Sequence, residues 1–232
     1  MPEKNVWSQE DLKKVNDSFE GKDPREALKW VVDSFPGEDF ALACSFGELV
    51  LLDMLVKIKK DARVFYLDTG LHFKETLKLK DEAERMYGIK VERFAPEMSL
   101  EEMERGYGPE LWRTDPDRCC AIRKVEPLRK ALSGLKAWIT GIRRDQGLTR
   151  KDVPIVSWDE KYGLVKVNPL ACWTRKEVWD YIVANKVPYN ELLDRGYPSI
   201  GCEPCTAQVK EGEDQRAGRW AGHDKTECGL HK

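Results

Sequence analysis

The chain of 232 residues has a formal net charge of −2, with 41% hydrophobic and 34% charged residues. It is long enough for one large domain, or one domain with an appendage, and apolar enough to form a core. It has no run of about twenty apolar residues, which excludes a membrane-spanning helix, and its charge argues against binding to nucleic acid. The polar first twenty residues lack the apolar segment of a signal peptide, so we expect a cytoplasmic protein.

Strands alternate with helices along most of the chain. The apolar pattern predicts strands at 40–44, 63–67, 89–94, 137–140 and 164–167, and helices at 24–34, 49–58, 73–87, 120–132 and 174–184. This order predicts an α/β fold, with a mostly parallel sheet and helices on both faces. We expect an N-terminal segment (1–24), an α/β domain (25–205) and a mobile tail (206–232), because the apolar periodicity fades toward the end.

Three predicted strands end in turns of small polar residues and glycine. The turns are Ser45-Phe46-Gly47, Asp68-Thr69-Gly70 and Gly141-Ile142-Arg143-Arg144. In an open parallel sheet, ligands bind beyond the carboxyl ends of the strands, and small residues there let backbone N–H groups approach a phosphate. One such turn is also what any strand-to-helix connection requires, but three in register predict a nucleotide site.

Positive charge is concentrated in the middle of the chain. Residues 113–151 contain eleven Lys or Arg and four Asp or Glu, so the rest of the chain is acidic. Such a segment is either a solvated surface or part of a site for a small anion, because clustered charge focuses the local electric field.

Four of the seven cysteines form two pairs. Cys119 and Cys120 are adjacent, and Cys202 and Cys205 form a C-x-x-C pair some eighty residues later. Four thiolates fit a zinc site or a [4Fe–4S] cluster, and the sequence chemistry does not separate iron from zinc. A thioredoxin-like redox pair and unrelated buried cysteines are the alternatives.

Cys228 stands alone in the polar tail, within Glu227-Cys228-Gly229-Leu230-His231. A free thiol on a mobile segment is either incidental or a nucleophile, and its spacing alone favours the incidental interpretation. Cys44 and Cys172 lie in apolar, strand-like surroundings and are expected to be small core residues.

Together these motifs resemble the assimilatory adenylyl-sulfate reductases, which belong to the wider adenylyl-sulfate and 3′-phosphoadenylyl-sulfate reductase family. The specific matches are Cys119-Cys120 with Arg123-Lys124, the C-x-x-C pair and the terminal Glu-Cys-Gly-Leu-His. The turns after the strands, with Gln146 and Thr149-Arg150, add weaker matches. The resemblance runs from about residue 25 to the end of the chain.

The resemblance implies an adenine nucleotide α-hydrolase-like fold, thioredoxin as the reductant and a [4Fe–4S] cluster. By match, the cluster ligands are Cys119, Cys120, Cys202 and Cys205. The catalytic group is Cys228, Lys124, Arg216 and Arg219. The substrate-binding residues are Ser45, Gly47, Leu67, Thr69, Gly141, Arg143 and Arg150.

The implied reaction is the reduction of adenylyl sulfate to sulfite and AMP through an S-sulfonate on Cys228. Alternatives are reduction of 3′-phosphoadenylyl sulfate or of both nucleotides, a non-enzymatic zinc module, and an ATP pyrophosphatase-type adenylating enzyme. The last needs a Ser-Gly-Gly-x-Asp-Ser loop, which this chain lacks. The sequence leaves open a homo-oligomer, the redox role of the cluster and the roles of His72, His223 and His231.

The first loop departs from the family pattern. Family members usually have Ser-Phe-Gly-Ala-Glu-Asp before the apolar helix, whereas here Ser45-Phe46-Gly47-Glu48 enters that helix about two residues early. The role of Glu48 and the phosphate contacts of this loop are therefore left open.

Overall fold

The computed structural model describes residues 7–231. The strands are β1 (Phe40–Ala43), β2 (Val64–Leu67), β3 (Val91–Phe94), β4 (Ala137–Ile139), β5 (Val156–Asp159) and β6 (Leu164–Val167). The helices are α1 (Gln9–Phe19), α2 (Pro24–Ser34), α3 (Val50–Ile58), α4 (Lys74–Tyr87), α5 (Leu100–Tyr107), α6 (Leu111–Thr114), α7 (Pro116–Cys120), α8 (Glu126–Leu132) and α9 (Arg175–Asn185). Short 3₁₀ turns occur at Arg144–Gln146, Leu148–Arg150, Glu191–Arg195 and Glu203–Cys205. Within residues 7–231, no helix has both the length and the apolar character needed to cross a membrane.

The strands form one sheet in the order β3-β2-β1-β4-β6-β5. Neighbouring strands are parallel, except that β5 runs antiparallel to β6 at one edge. The predicted mostly parallel sheet is therefore confirmed. From β1 the chain first builds the sheet toward β3 and later builds it the other way from β4. The change of direction opens a crevice at the carboxyl ends of β1 and β4.

Side chains of the central strands alternate between two cores, one on each face of the sheet. In β1, Phe40 and Leu42 belong to the larger core, which includes residues of α2, α3 and α9. Ala41 belongs to the other core, together with Leu128 and Leu132 of α8. Because successive strand residues point to opposite faces, a strand buried on both sides is apolar throughout. The prediction of helices on both faces is confirmed.

Helices α1, α5 and α6 and strand β5 have no counterpart among the predicted elements. Only the first residue of β5 is buried, so its sequence carries little apolar alternation. The side-chain oxygen of Asn16 in α1 accepts hydrogen bonds from the backbone N–H groups of Ile155 and Val156, at 2.8 and 3.2 Å. Helix α1 thereby lies against the edge strand β5 and provides a hydrogen-bond acceptor for backbone N–H groups at the start of that strand.

The helix predicted at 120–132 is interrupted by a π turn at Ala121–Val125, between α7 and α8. Pro127 has no N–H group, so a regular helical hydrogen-bond ladder cannot continue across this point. Arg123 in the π turn is buried, and its guanidinium donates to the carbonyl oxygens of Thr69 (2.7 Å) and Met98 (2.8 Å). The π turn thus fixes the segment that carries Lys124.

Asp53 in α3 ties three helices together from a buried position. Its carboxylate accepts hydrogen bonds from the hydroxyl groups of Tyr87 in α4 (3.1 Å) and Tyr181 in α9 (2.7 Å). It also accepts one from the ammonium group of Lys57, at 2.6 Å. Removing the carboxylate would leave the two partly buried tyrosine hydroxyl groups without this acceptor. The loss of folding free energy is larger than for a hydrogen bond at the surface, where water replaces the lost acceptor.

We expect Asp53→Ala to lower the free energy of unfolding by about 3 kcal/mol, because hydrogen bonds to a charged group contribute about 1.5 to 3 kcal/mol each. Asp53→Asn, the matched control, keeps one acceptor oxygen and the side-chain volume and should lose less. Urea denaturation followed by circular dichroism measures both values. A stability of Asp53→Ala equal to that of the unmodified protein would contradict this role.

Candidate active site

A cavity of about 300 Å³ opens at the carboxyl ends of β1, β2 and β4. It lies at the crevice where open α/β sheets bind ligands, and its volume is in the range of small-molecule sites. All the residues predicted to bind substrate line this cavity, namely Ser45, Gly47, Leu67, Thr69, Gly141, Arg143 and Arg150. The fold therefore brings the three predicted turns to one place.

The first turn is held in a strained conformation. Phe46 has a φ of 54°, in the left-handed region, and its side chain is buried in the core. The side-chain amide of Asn190 donates to the carbonyl oxygen of Phe46 at 3.2 Å, and its backbone N–H donates to that of Gly47 at 2.9 Å. Glu48, whose role the sequence left open, accepts a hydrogen bond from the N–H of Val50 at 2.7 Å. It satisfies a backbone donor at the start of α3, which allows the short loop.

The second turn depends on a glycine. Gly70 has a φ of +70°, and a Cβ atom there would lie 2.9 Å from the guanidinium group of Arg123. Glycine thus permits both the turn and the close approach of this buried arginine. A ring nitrogen of His72 lies 2.9 Å from the carbonyl oxygen of Leu67. Burial lowers the pKa of His72, so the ring is neutral near pH 7.

The two cysteine pairs meet beside the cavity. Cys119 and Cys120 end α7, Cys202 directly precedes the last 3₁₀ turn, and Cys205 ends that turn. Burial, reinforced by the charges of the other three cysteines, raises the pKa of Cys119 to about 12. All four are free thiols. In the part of the chain that the structure describes, no three His, Cys, Asp or Glu side chains form a site for a single metal ion.

Lys124, Arg216 and Arg219 line the same cavity. Burial alone would lower the pKa of Lys124, but the negative charges of Cys202 and Cys228 outweigh it and raise that pKa. The guanidinium of Arg219 lies 4.5 Å from the ring centre of Trp220. Its Nε atom is buried and has no hydrogen-bond partner within residues 7–231. The predicted cations therefore converge, and one of them presents an unpaired donor.

The C-terminal tail lies against this cavity. Cys228 is buried, lines the cavity and packs against Cys120 and Trp220. The ammonium group of Lys161 donates to the carbonyl oxygen of Gly229 at 2.5 Å. The tail is thus in a closed position, and its predicted mobility stays a prediction.

Several residues around the tail have no candidate role in the sequence. Glu227 is buried among Thr149, Arg150 and Arg216. His231 stacks on Trp138, with ring centres 5.6 Å apart. No sequence signal identifies the contacts of Glu227 with Thr149 and Arg150 or of His231 with Trp138, because each joins residues far apart in the chain. His223, also left open by the sequence, is exposed.

Comparison with protein families matches residues 39–208 to the phosphoadenosine phosphosulfate reductase domain. The chain is 47% identical over 231 residues to adenosine 5′-phosphosulfate reductase 2 of Bacillus subtilis (strain 168), covering 98% of this chain and 97% of that protein. It is 45% identical to adenosine 5′-phosphosulfate reductase of Geobacillus sp. (strain WCH70), covering 97% of each chain.

Solved structures give a consistent result. The phosphoadenylyl-sulfate reductase of Candida auris, in a phosphate complex, is similar with a TM-score of 0.76 and 35% identity, over 88% of this chain and 98% of that one. The FMN adenylyltransferase of Candida glabrata, with FMN and an ATP analogue, has a TM-score of 0.58 at 14% identity, over 87% of this chain and 77% of that one, and shares the fold alone. The expected adenine nucleotide α-hydrolase-like fold is confirmed. From the matched domain and these near full-length relatives, the chain belongs to the phosphoadenosine phosphosulfate reductase family.

Proposed function

We propose that this protein is an assimilatory adenylyl-sulfate reductase, which uses thioredoxin to reduce adenylyl sulfate to sulfite and AMP. The observation that carries the proposal is the burial of the Cys228 thiol in the cavity formed by the predicted nucleotide-binding turns. Lys124 and Arg219 line the same cavity. The names of the Bacillus and Geobacillus relatives, matched over nearly their whole length, support this substrate.

In the first step, the Cys228 thiolate attacks the sulfur atom of adenylyl sulfate. A bond forms between Sγ and that sulfur, the bond from sulfur to the bridging oxygen breaks, and AMP leaves with the electron pair. A cysteine S-sulfonate remains on the enzyme. The thiolate and the sulfuryl group are both negative, so nearby cations must offset their repulsion, and Lys124, Arg216 and Arg219 are placed to do so.

In the second step, a thiolate of reduced thioredoxin attacks Sγ of Cys228, and sulfite leaves with the electron pair. The second thiol of thioredoxin then resolves the mixed disulfide and restores the Cys228 thiol, so the two electrons come from the thioredoxin dithiol. A protein cannot reach a buried sulfur atom, which means that the tail must leave its closed position. Such thiol chemistry accords with a location in the reducing cytoplasm.

We further propose that Cys119, Cys120, Cys202 and Cys205 hold a [4Fe–4S] cluster. The donor set supports this, because four thiols lie together and burial raises the pKa values of Cys119 and Cys205, to about 12 and about 11. Iron would supply the positive charge that lets the four thiols ionise. The four cysteines would ligate the cluster separately, so they would not have to converge on one point as the ligands of a single zinc ion do. The cluster would supply structural support and a local charge, and Lys124 would couple that charge to the substrate.

We expect the protein purified without oxygen to contain iron and inorganic sulfide in equal amounts, and to show the visible absorption of an iron–sulfur cluster. Cys205→Ser should lose most of this iron, because a four-thiolate site is broken when one ligand is removed. Cys172→Ser, a matched control outside the proposed ligand set, should keep it. Zinc without iron in the unmodified protein would overturn the cofactor proposal.

For Cys228→Ser, we expect no measurable turnover, because a serine hydroxyl is a far weaker nucleophile than a thiolate at neutral pH. AMP binding should be retained. Mass spectrometry after incubation with adenylyl sulfate, in the absence of thioredoxin, should find an added SO₃ group on the tail peptide of the unmodified protein and none on that of the variant. Normal turnover by Cys228→Ser would exclude Cys228 as the nucleophile.

The alternative substrate is 3′-phosphoadenylyl sulfate, and the 35% identical Candida auris reductase supports keeping it open. We expect kcat/KM to be higher for adenylyl sulfate by about tenfold or more, the factor that one poorly paired charged group typically costs. Steady-state kinetics on both nucleotides with the same thioredoxin measures this ratio. Equal values would indicate dual specificity, and a reversed ratio would change the substrate assignment.

A further inference from the structure

We propose that the buried ion pair of Glu227 with Arg150, supported within the tail by Arg216, forms a latch that fixes Cys228 in the closed tail, with Glu227 acting as a positioning residue. The inference rests on the proposed function of Cys228 as the nucleophile. It also assigns Arg150 to holding the tail, whereas the sequence predicted an anion contact with the substrate.

The contacts of Glu227 are more extensive than those of an ordinary surface carboxylate. Nε and Nη2 of Arg150 donate to its two oxygens, at 2.7 and 2.8 Å, in the bidentate geometry that is strongest for this pair. Arg216 donates to one of these oxygens at 3.1 Å, and the hydroxyl group of Thr149 donates to the other at 3.2 Å. The side chains of Glu227, Arg150 and Arg216 are 8%, 12% and 13% exposed. Solvent screening of these ion pairs is therefore weak.

The position of Glu227 in the chain links these contacts to the thiol. Cys228 is the next residue, and consecutive Cα atoms lie about 3.8 Å apart. Holding the Glu227 side chain in place therefore also restricts the position of Cys228. Arg216 also donates to the carbonyl oxygen of Thr226 at 2.8 Å. Glu227 is therefore tied to Arg150 of the domain, and Arg216 ties Thr226 and Glu227 to an earlier part of the tail.

The cations of the cavity differ in whether a carboxylate of the chain already engages them. Arg150 uses its third nitrogen, Nη1, to donate to Gln146 at 2.6 Å, so all of its nitrogens are engaged while the tail is closed. Lys124 and Arg219 line the cavity without an ion pair to any carboxylate of residues 7–231. Arg150 therefore serves the closed tail, whereas Lys124 and Arg219 are left for the anionic groups of the substrate.

A competing explanation is that Glu227 occupies the site of a substrate anion and must be displaced before the nucleotide binds. The two explanations differ in their consequences. If Glu227 is a latch, weakening it places the Cys228 thiol beside the substrate less often and slows sulfonation. If Glu227 competes with a substrate anion, removing its charge leaves the anion site open, lowers the KM and speeds sulfonation.

Alkylation of Cys228 by iodoacetamide tests the latch without any turnover. The full-length protein, purified without oxygen, would be compared with Glu227→Gln, Arg150→Gln and the double variant. We expect the alkylation rate of Cys228 to rise by about tenfold or more in each single variant, because losing hydrogen bonds to a charged group shifts an opening equilibrium by at least that factor. The second substitution should add little to the first, since both break the same contact.

Arg150→Gln separates the latch from a simple electrostatic effect. Removing a positive charge near Cys228 disfavours its thiolate and would by itself slow alkylation, whereas opening the latch speeds it. Two controls exclude general loosening. Glu211→Gln removes an exposed carboxylate from the same tail and should leave the rate unchanged. Cys172, half-buried outside the tail, should react at the same rate in every variant.

Single-turnover sulfonation by adenylyl sulfate supplies the second measurement. With the latch, Glu227→Gln lowers the rate of SO₃ transfer to Cys228, and Glu227→Asp restores part of it. The proposal is overturned if alkylation of Cys228 in both single variants stays within about twofold of the unmodified protein. Faster transfer with a lower KM in Glu227→Gln would instead support the competitor. Absence of transfer in the unmodified protein would refute the proposed function and leave the alkylation result interpretable.

Discussion

The concentration of positive charge in one partly enclosed cavity is the constraint on which the rest of the site depends. Six Lys and Arg side chains line the cavity at the carboxyl edge of the sheet. Burial and the repulsion of Arg150 lower the pKa of Arg216 to about 10, although Glu227 opposes this. Such a group of cations is stable only if anions lie among them. The chain supplies one of these anions, the Glu227 carboxylate, and the rest are those of the proposed substrate.

The parallel sheet and the tail contribute different parts of this arrangement. Strands β1, β2 and β4 end at one edge and bring the small polar turns together, as their order in the sheet requires. The cations come from several elements, namely the π turn before α8, the loop after β4, the start of α9 and the tail. The tail reaches the cavity by folding back on the segment after the C-x-x-C pair. Gly218 permits this, because a Cβ atom there would lie 2.1 Å from the carbonyl oxygen of Ala207.

The proposed reaction requires two opposite properties of the tail. Cys228 must be enclosed and surrounded by cations while it attacks the substrate, and exposed while thioredoxin attacks the S-sulfonate. Ion pairs suit such a segment better than apolar packing, because the separated charges regain hydration when the tail leaves. Glu227 forms such ion pairs. Three cations of the tail, those of Arg216, Arg219 and Lys225, also lie within 6 Å of the centre of the Trp220 ring, where cation–π attraction stabilises them.

Much of the architecture was predictable from local sequence. The central strands are short apolar runs bounded by turns, and α9 begins at the Thr-x-x-Glu pattern of a capping box, Thr174 to Glu177. The edge strand β5 was not predicted, because it is stabilised by pairing with β6 and by Asn16 of α1, and neither leaves a periodic pattern. The sequence by itself determined the α/β class, the cysteine pairs and the terminal motif that contains Cys228. Only the tertiary structure decided which charges meet, because the partners Arg150 and Glu227 are 77 residues apart and their attraction depends on the desolvated space between them.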